Sequence, residues 1–279
     1  MNFRHVFSLF VVFLISFDSL AAGFALYEGS ARGNAMGGAV MGRGLDASAN
    51  FYNPATLSDL TGTVVTVGMT TEHPTCDTYI NGRSGPKMDP GCFVLPHVYV
   101  SQQLPWDFTF GLGFAPEYGL GTHYRKSWPL AWDTRQTTIE GLVLNPNLAY
   151  RITDDWSVSA GFRLLYSSFE QYSDQMATSG GARYGTVRDH LNAHNDFNDW
   201  GWQISTKYDI TEKLSAGVMY RSFIDTKIKG YNHTRVRGYD DSAVASQVDA
   251  GVRAALAGYG LAPGTAISQQ YYGSLYRQA

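Results

Sequence analysis

The feature that most constrains the fold of this chain is a repeated alternation of apolar residues with small or polar ones. Successive side chains of a β-strand point to opposite faces of the sheet, so each alternating segment has one apolar and one small or polar face. The segments lie at residues 63–69, 97–104, 108–114, 142–150, 156–166, 200–208 and 214–220. The pattern predicts an all-β protein.

The connections between these segments alternate in length. The short ones are turns at residues 104–107, 153–155 and 211–213. The long ones are polar and aromatic loops at residues 70–96, 119–136 and 171–198. Transmembrane barrels have short periplasmic turns, longer outer loops and aromatic girdles. The sequence therefore predicts a transmembrane antiparallel β-barrel with lipid-facing apolar sides. The alternative is a secreted β-sandwich, in which the apolar faces pack against each other.

Composition excludes several other classes of protein. Charged residues make up only 16% of the chain and aromatic residues as much as 14%. Disordered proteins are instead rich in charged residues and poor in aromatic ones. Beyond the first 20 positions the sequence has no apolar run of the length that a transmembrane helix needs. The net charge of −3, with no stripe of Lys and Arg, argues against a nucleic-acid partner.

Residues 1–21 have the pattern of a secretory signal peptide. Arg4 supplies the positive charge, residues 6–17 form the apolar region, and small residues at Ser19 and Ala21 precede the predicted cleavage site. The chain is therefore expected to leave the cytoplasm.

The two cysteines, Cys76 and Cys92, are predicted to form one disulfide in an oxidising compartment. The histidines are scattered through predicted loops and do not have the clustering of a metal site. Because no catalytic motif stands out either, we expect neither an enzyme nor a cofactor.

Residues 22–58 are rich in glycine and alanine and lack the alternation. This stretch and the strands after it contain motifs that resemble one family. The motifs are Gly23-Phe24-Ala25-Leu26, Ser30 to Ala35, Asp46-Ala47-Ser48, Asn53-Pro54-Ala55, Asn145-Pro146, Leu148 to Arg151, Trp156 to Gly161 and Lys227 to Gly230. They resemble the FadL-type long-chain fatty acid transporters of the outer membrane, a family that includes aromatic-hydrocarbon uptake proteins.

The resemblance implies a fourteen-stranded barrel with residues 22–58 as a hatch in its lumen. It also implies a monomer in the outer membrane of a Gram-negative bacterium, in contact with membrane lipid and a hydrophobic small-molecule ligand. In such proteins the ligand meets a groove between outer loops and then a pocket in the barrel. A shift of the hatch opens a route, in characterised members sideways through the wall.

The chain is short for this family. The spacing from Phe108 to Trp156 is 48 residues, and at that length per hairpin residues 59–279 accommodate about eight strands. We therefore predict a truncated member with an incomplete barrel, in which residues 231–266 form a partly helical outer loop. Residues 240–260 have apolar residues at helical spacing.

Arg163, Lys207 and Arg221 lie on the inward faces by alternation. A buried cation there is suited to the carboxylate of a fatty acid. Alternatively, these cations pair with acids of the hatch such as Asp46 or Glu28.

Two further motifs are candidate ligand contacts. Asn53, Pro54 and Ala55 are expected to form a rigid turn that lines the pocket, or simply to begin a helix or loop before the first strand. Apolar residues of an outer loop are expected to form a capture groove, or to pack against a neighbouring loop or the lipid interface; they are Trp128, Leu130 and Trp132.

The function predicted from these features is passive transport of hydrophobic compounds, such as long-chain fatty acids, through a hatch-gated barrel. Two alternatives stay open at this point. One is a general porin with a water-filled lumen, and the other is a structural or adhesive barrel that acts through its loops.

Overall fold

A computed structural model describes residues 24–89, 91–125, 128, 134–179, 182–237 and 266–278. Its helices are α1 (Ala31–Ala35), α2 (Ala49–Tyr52) and a 3₁₀ helix (Pro54–Asp59). Its strands are β1 (Thr63–Glu72), β2 (Tyr79–Ile80), β3 (Arg83–Ser84), β4 (Phe93–Gln103), β5 (Phe108–His123), β6 (Gln136–Arg151), β7 (Trp156–Ser179), β8 (Ala182–His194), β9 (Asp199–Thr211), β10 (Leu214–Arg221), β11 (Ile224–Arg237) and β12 (Ala266–Gln278).

The strands form one antiparallel meander, apart from the small β2–β3 hairpin. The long strand β7 pairs with β9 along its first half and with β8 along its second half. Strand β10 pairs with β9, and β11 pairs with β8 and β12. Strands β8 and β9 are thus two parts of one crossing of the sheet, as are β10 and β11. Counted in this way, the sheet that the described residues form has eight crossings with β1 and β12 at its ends, as the chain length predicts.

The alternation places apolar side chains on the outside of the sheet. Val67, Phe162 and Trp200 are 70%, 59% and 60% exposed, whereas Arg163 and Gln203, on the opposite face, are each 1% exposed. We call these the outer and inner faces. A soluble β-sandwich would bury the apolar face, so the exposed outer face is the surface that contact with lipid requires.

The N-terminal segment, residues 24–62, packs against the inner face. Phe51 and Tyr52 of α2 share a buried cluster with Tyr99 of β4 and Ala115 of β5. Leu57 of the 3₁₀ helix lies in a second cluster with the wall residue Ala149. The segment therefore covers the inner face of β4, β5 and β6 at these positions.

The three predicted short turns are present between strands, but the predicted loop at residues 171–198 is wrong. Most of it belongs to β7 and β8, which pair from Ser168↔His194 onward. Both faces carry polar side chains here, as the consecutive residues Glu170 and Gln171 show. The apolar alternation disappears although backbone pairing continues, because hydrophobic periodicity reports burial and lipid contact rather than hydrogen bonding.

Two predicted segments fall largely outside the described residues. The signal peptide at residues 1–21 is one of them. Of the predicted partly helical loop at residues 231–266, the first seven residues belong to β11 and Ala266 begins β12, while residues 238–265 lie outside the described part. Within the described residues, no helix has the length and hydrophobicity to cross a bilayer.

Candidate functional site

A buried network of amides joins the N-terminal segment to the sheet. Asn50 of α2 donates from Nδ2 to the backbone oxygen of Asn145 at 2.9 Å, and accepts at Oδ1 from Nδ2 of Asn147 at 3.0 Å. Gln203 of β9 donates to Oδ1 of Asn147 at 2.8 Å. All four residues are buried, so their hydrogen bonds replace the water that these amides would otherwise need.

Glycines of the wall make this close approach possible. A Cβ added at Gly111 would overlap Oδ1 of Asn50 and lie 2.5 Å from Cδ1 of Leu57. At Gly113 it would lie 2.6 Å from Nδ2 of Asn50. The inner face of β5 is therefore shaped for the segment, and the alternating glycines there serve packing rather than turns.

Asn53, Pro54 and Ala55 lie at the start of the 3₁₀ helix, with Pro54 in its first turn. Asn53 donates from Nδ2 to the backbone oxygen of Met41 at 2.7 Å and to that of Thr206 at 3.1 Å. The Ala55 amide donates to Oγ of Ser205 at 3.0 Å. The motif thus begins a short helix and attaches the segment to β9, and its buried position leaves it away from open surface.

The three predicted inward cations all have acidic or carbonyl partners. Lys207 Nζ lies 2.6 Å from Asp59 Oδ1 and 2.8 Å from Asp209 Oδ2. The other two cations converge on one buried acid: Arg163 pairs with Glu117, and Nη1 of Arg221 lies 3.8 Å from Glu117 Oε2.

Among the acids predicted as hatch partners, Asp46 pairs with Arg32 instead, at 3.4 Å. Arg221 also donates to the Phe51 backbone oxygen in the segment. Segment-to-wall charge pairing therefore exists, and among the described residues its acid from the segment is Asp59.

Glu117 is a site residue that the sequence reasoning missed. A β-bulge between Pro116 and Tyr118 interrupts the β5–β6 register, and Glu117 is the unpaired residue. Its carboxylate is buried beside Arg163, which also donates to the Tyr118 hydroxyl at 3.1 Å. A proline followed by an acid inside a strand pattern is the signal that marks such a bulge.

Next to the bulge the sheet opens. Strands β4 and β5 pair only from Val98↔Phe114 to Gln103↔Thr109, while β5 stays paired with β6. The start of the N-terminal segment pairs with β5 instead: the Leu26 amide donates to the Glu117 oxygen at 2.8 Å. The Gly119 amide donates to the Phe24 oxygen at 2.9 Å. We call this region the gap.

A cavity of about 660 Å³ occupies the gap. Its lining residues come from the segment, β1, β4, β5, β6 and the β1–β4 connection, and most are apolar or glycine. They are Leu26, Glu72, Pro74, Cys92, Phe93, Val94, Leu95, Pro96, Pro116, Tyr118, Gly119, Leu120, Gly121, Thr138, Ile139, Glu140, Gly141 and Leu142. The volume is within the range typical of small-molecule sites, and so is the apolar lining.

A family model described as "Outer membrane protein transport protein (OMPP1/FadL/TodX)" matches residues 12–265. The chain belongs to this family. Membership in the FadL/TodX family confirms the resemblance read from the sequence motifs, and it places the protein in the outer membrane of a Gram-negative bacterium.

Two curated FadL/TodX relatives are long-chain fatty acid transport proteins of Salmonella typhi and Escherichia coli K12. Both are 26% identical to this chain, and each alignment covers 78% of this chain. The alignments cover 54% of the Salmonella protein and 55% of the Escherichia coli protein. The chain therefore spans about half the length of the curated relatives it matches.

Solved structures give the same fold. A Pseudomonas aeruginosa FadL homologue aligns with a TM-score of 0.62 at 17% identity, covering 90% of this chain and 64% of that one. The P. putida toluene transporter TodX aligns with a TM-score of 0.58 at 18% identity, covering 92% and 64%.

The outer-loop residues predicted as a capture groove are described only in part. Trp128 is buried and stacks on Tyr124, with ring centroids 4.4 Å apart. Leu130 and Trp132 lie outside the described residues. Trp128 thus packs within its own loop, and the capture groove and its alternatives stay predictions.

The remaining predicted features are the two cysteines and the histidines. Cys76 and Cys92 are exposed and not bonded to each other in this structure, and their disulfide stays a prediction. His190 lies in strand β8 rather than in a loop, stacks on Tyr172 at 4.1 Å and has Nε2 2.8 Å from Glu170. Over the described residues, no cluster of three or more metal-ligating side chains occurs.

Proposed function

We propose that this protein carries hydrophobic compounds passively across the outer membrane, with the N-terminal segment as a hatch. The observation that carries the proposal is the gap, where two neighbouring strands separate around an apolar cavity of about 660 Å³. The names of the relatives, fatty acid transport proteins and a toluene transporter, support the same class of ligand.

The gating element of this proposal is the start of the segment, residues 24–26. It pairs with β5 through two backbone hydrogen bonds, and its Leu26 side chain lines the cavity. An intramolecular strand end held by so few bonds opens at low free-energy cost. A hydrophobic ligand in the cavity would replace Leu26, and no cofactor is required because a concentration gradient drives the movement.

A reversible cross-link of the segment to β5 tests this proposal. Ala25 and Tyr118 face each other in an isolated antiparallel bridge. The flanking bonds, from Leu26 N to Glu117 O and from Gly119 N to Phe24 O, make them a non-hydrogen-bonded pair. In such pairs the Cα atoms lie about 4.5 Å apart, within the range that a disulfide spans. The test variant is Ala25→Cys with Tyr118→Cys, built on Cys76→Ser and Cys92→Ser.

We expect oxidation to reduce uptake of a hydrophobic substrate by vesicles containing the variant to the level of empty vesicles. Reduction should restore it. The single variants Ala25→Cys and Tyr118→Cys, on the same background, should not respond to oxidant. Unchanged uptake by a fully cross-linked variant would contradict the proposed gate, and equal conductance of hydrophilic solutes in both states would favour a general porin.

A further inference from the structure

We propose that the gap cavity selects uncharged hydrophobic molecules and excludes carboxylates, so that the preferred ligand is a neutral compound rather than a fatty acid anion. This inference rests on the proposed function, because it concerns the same cavity. It adds the chemical class of the ligand and the two residues, Glu72 and Glu140, that determine it.

The charges of the cavity lining carry the inference. The lining includes two carboxylates, Glu72 at the end of β1 and Glu140 of β6, and among its described residues there is no Lys, Arg or His. Within the described part of the chain, no salt bridge involves either acid. A ligand carboxylate would therefore meet two like charges and no counter-ion.

The cations of the inner face do not change this balance. Arg163 donates to the hydroxyl of the lining residue Tyr118, but it is itself buried against Glu117. Lys207 lies between Asp59 and Asp209. To reach either cation, a carboxylate would have to displace an existing partner.

Physical chemistry then favours a neutral ligand. An anion that enters an apolar cavity loses its hydration, and only a positioned counter-charge or several hydrogen-bond donors can replace it. The walls offer mainly apolar contacts, from residues such as Phe93, Leu120 and Ile139. A neutral hydrophobic molecule loses no comparable hydration and gains the full contact.

A matched pair of ligands tests the inference. We expect the full chain in lipid nanodiscs, with empty nanodiscs as the partition control, to bind 1-decanol about tenfold or more tightly than decanoate at pH 7.5, as measured by calorimetry. The double variant Glu72→Gln with Glu140→Gln should raise decanoate affinity several-fold and leave decanol affinity unchanged. Thr138→Lys, which adds a cation to the lining, should favour decanoate further.

Asp154→Asn is the matched control, because Asp154 is an exposed acid in the turn between β6 and β7, away from the cavity, and its removal should leave the ratio of affinities unchanged. Equal or tighter binding of decanoate by the unmodified chain would overturn the inference alone. The same holds if the glutamine variants change both affinities equally, or if decylamine binds more tightly than decanol. Absence of binding by every ligand would instead contradict the proposed function itself.

Discussion

The N-terminal segment meets the sheet in two regions that differ in how they are held. In the anchored region, α2 and the 3₁₀ helix reach β6, β7 and β9 through buried side chains, including Asn50, Asn53 and Ser58. In the gap region, residues 24–26 meet β5 through two backbone hydrogen bonds and the apolar side chain of Leu26. One segment therefore has a fixed part and a weakly held part.

The difference shows how one segment can both close the lumen, through its anchored region, and open a path, through its gap region. Buried amides without partners are costly, so the anchored region leaves the wall only if several hydrogen bonds break together. In the gap only two backbone hydrogen bonds hold residues 24–26, so fewer bonds break when they leave the wall. The comparison predicts that substitutions in the anchored region mainly lower stability, whereas substitutions in the gap region mainly change transport.

The largest expected effect is that of a side chain added under the anchored region. Gly111→Val would force a Cβ into Asn50 and Leu57, and we expect loss of several kcal/mol or of the folded protein altogether. The matched variant is Gly119→Val in the gap, whose Cβ would meet only the side-chain end of Leu26, at 2.9 Å. Yield of refolded, heat-modifiable protein measures both, and equal loss would contradict the comparison.

An intermediate effect is expected for the buried amide network. Asn50→Ala removes the amide that donates to the buried Asn145 backbone oxygen and one of the acceptors of Asn147 Nδ2, which should lower the free energy of unfolding by about 1–3 kcal/mol. Asn34→Ala is the control, because Asn34 is exposed and makes one hydrogen bond to Thr70; we expect about 0.5 kcal/mol or less. Urea unfolding in detergent, followed by tryptophan fluorescence, gives both values, and similar values would remove the distinction.

The smallest effect on stability is expected in the gap. Leu26→Ala removes a partly buried side chain at the surface of the cavity, so the free energy of unfolding should fall by about 1 kcal/mol or less. Basal uptake of a neutral hydrophobic dye by vesicles should rise, because the gap is then less filled. A loss of stability as large as that of Asn50→Ala, with unchanged uptake, would show that residues 24–26 are part of the anchored region.

The sequence predicted the features that depend on local pattern. Alternation located the strands around Phe108 and Trp156 and the inward face of Arg163, because lipid contact on one side produces a period of two. It did not reveal the second half of β7 or strand β8, where both faces are polar and the apolar alternation is absent.

The gap was not predictable from the same pattern. It results from β4 and β5 separating beyond Phe114, which is a long-range event. Glu117 keeps the inward parity of Thr109 to Ala115, but the bulge shifts the parity of β5 beyond it, so that alternation alone misplaces Tyr118 and the residues after it. The alternation could not predict the partners of the inward cations either, because partners such as Lys207 and Asp59 lie 148 positions apart in the sequence.

The attachment of the segment also sets an order of events during biogenesis. Asn53 bonds to Thr206, 153 positions later, and Arg221 bonds to Phe51 across 170 positions. These bonds form only once the chain through Arg221 has been translated, exported and paired. The stretch that is synthesised early therefore cannot complete its attachment until much later parts of the chain are in place.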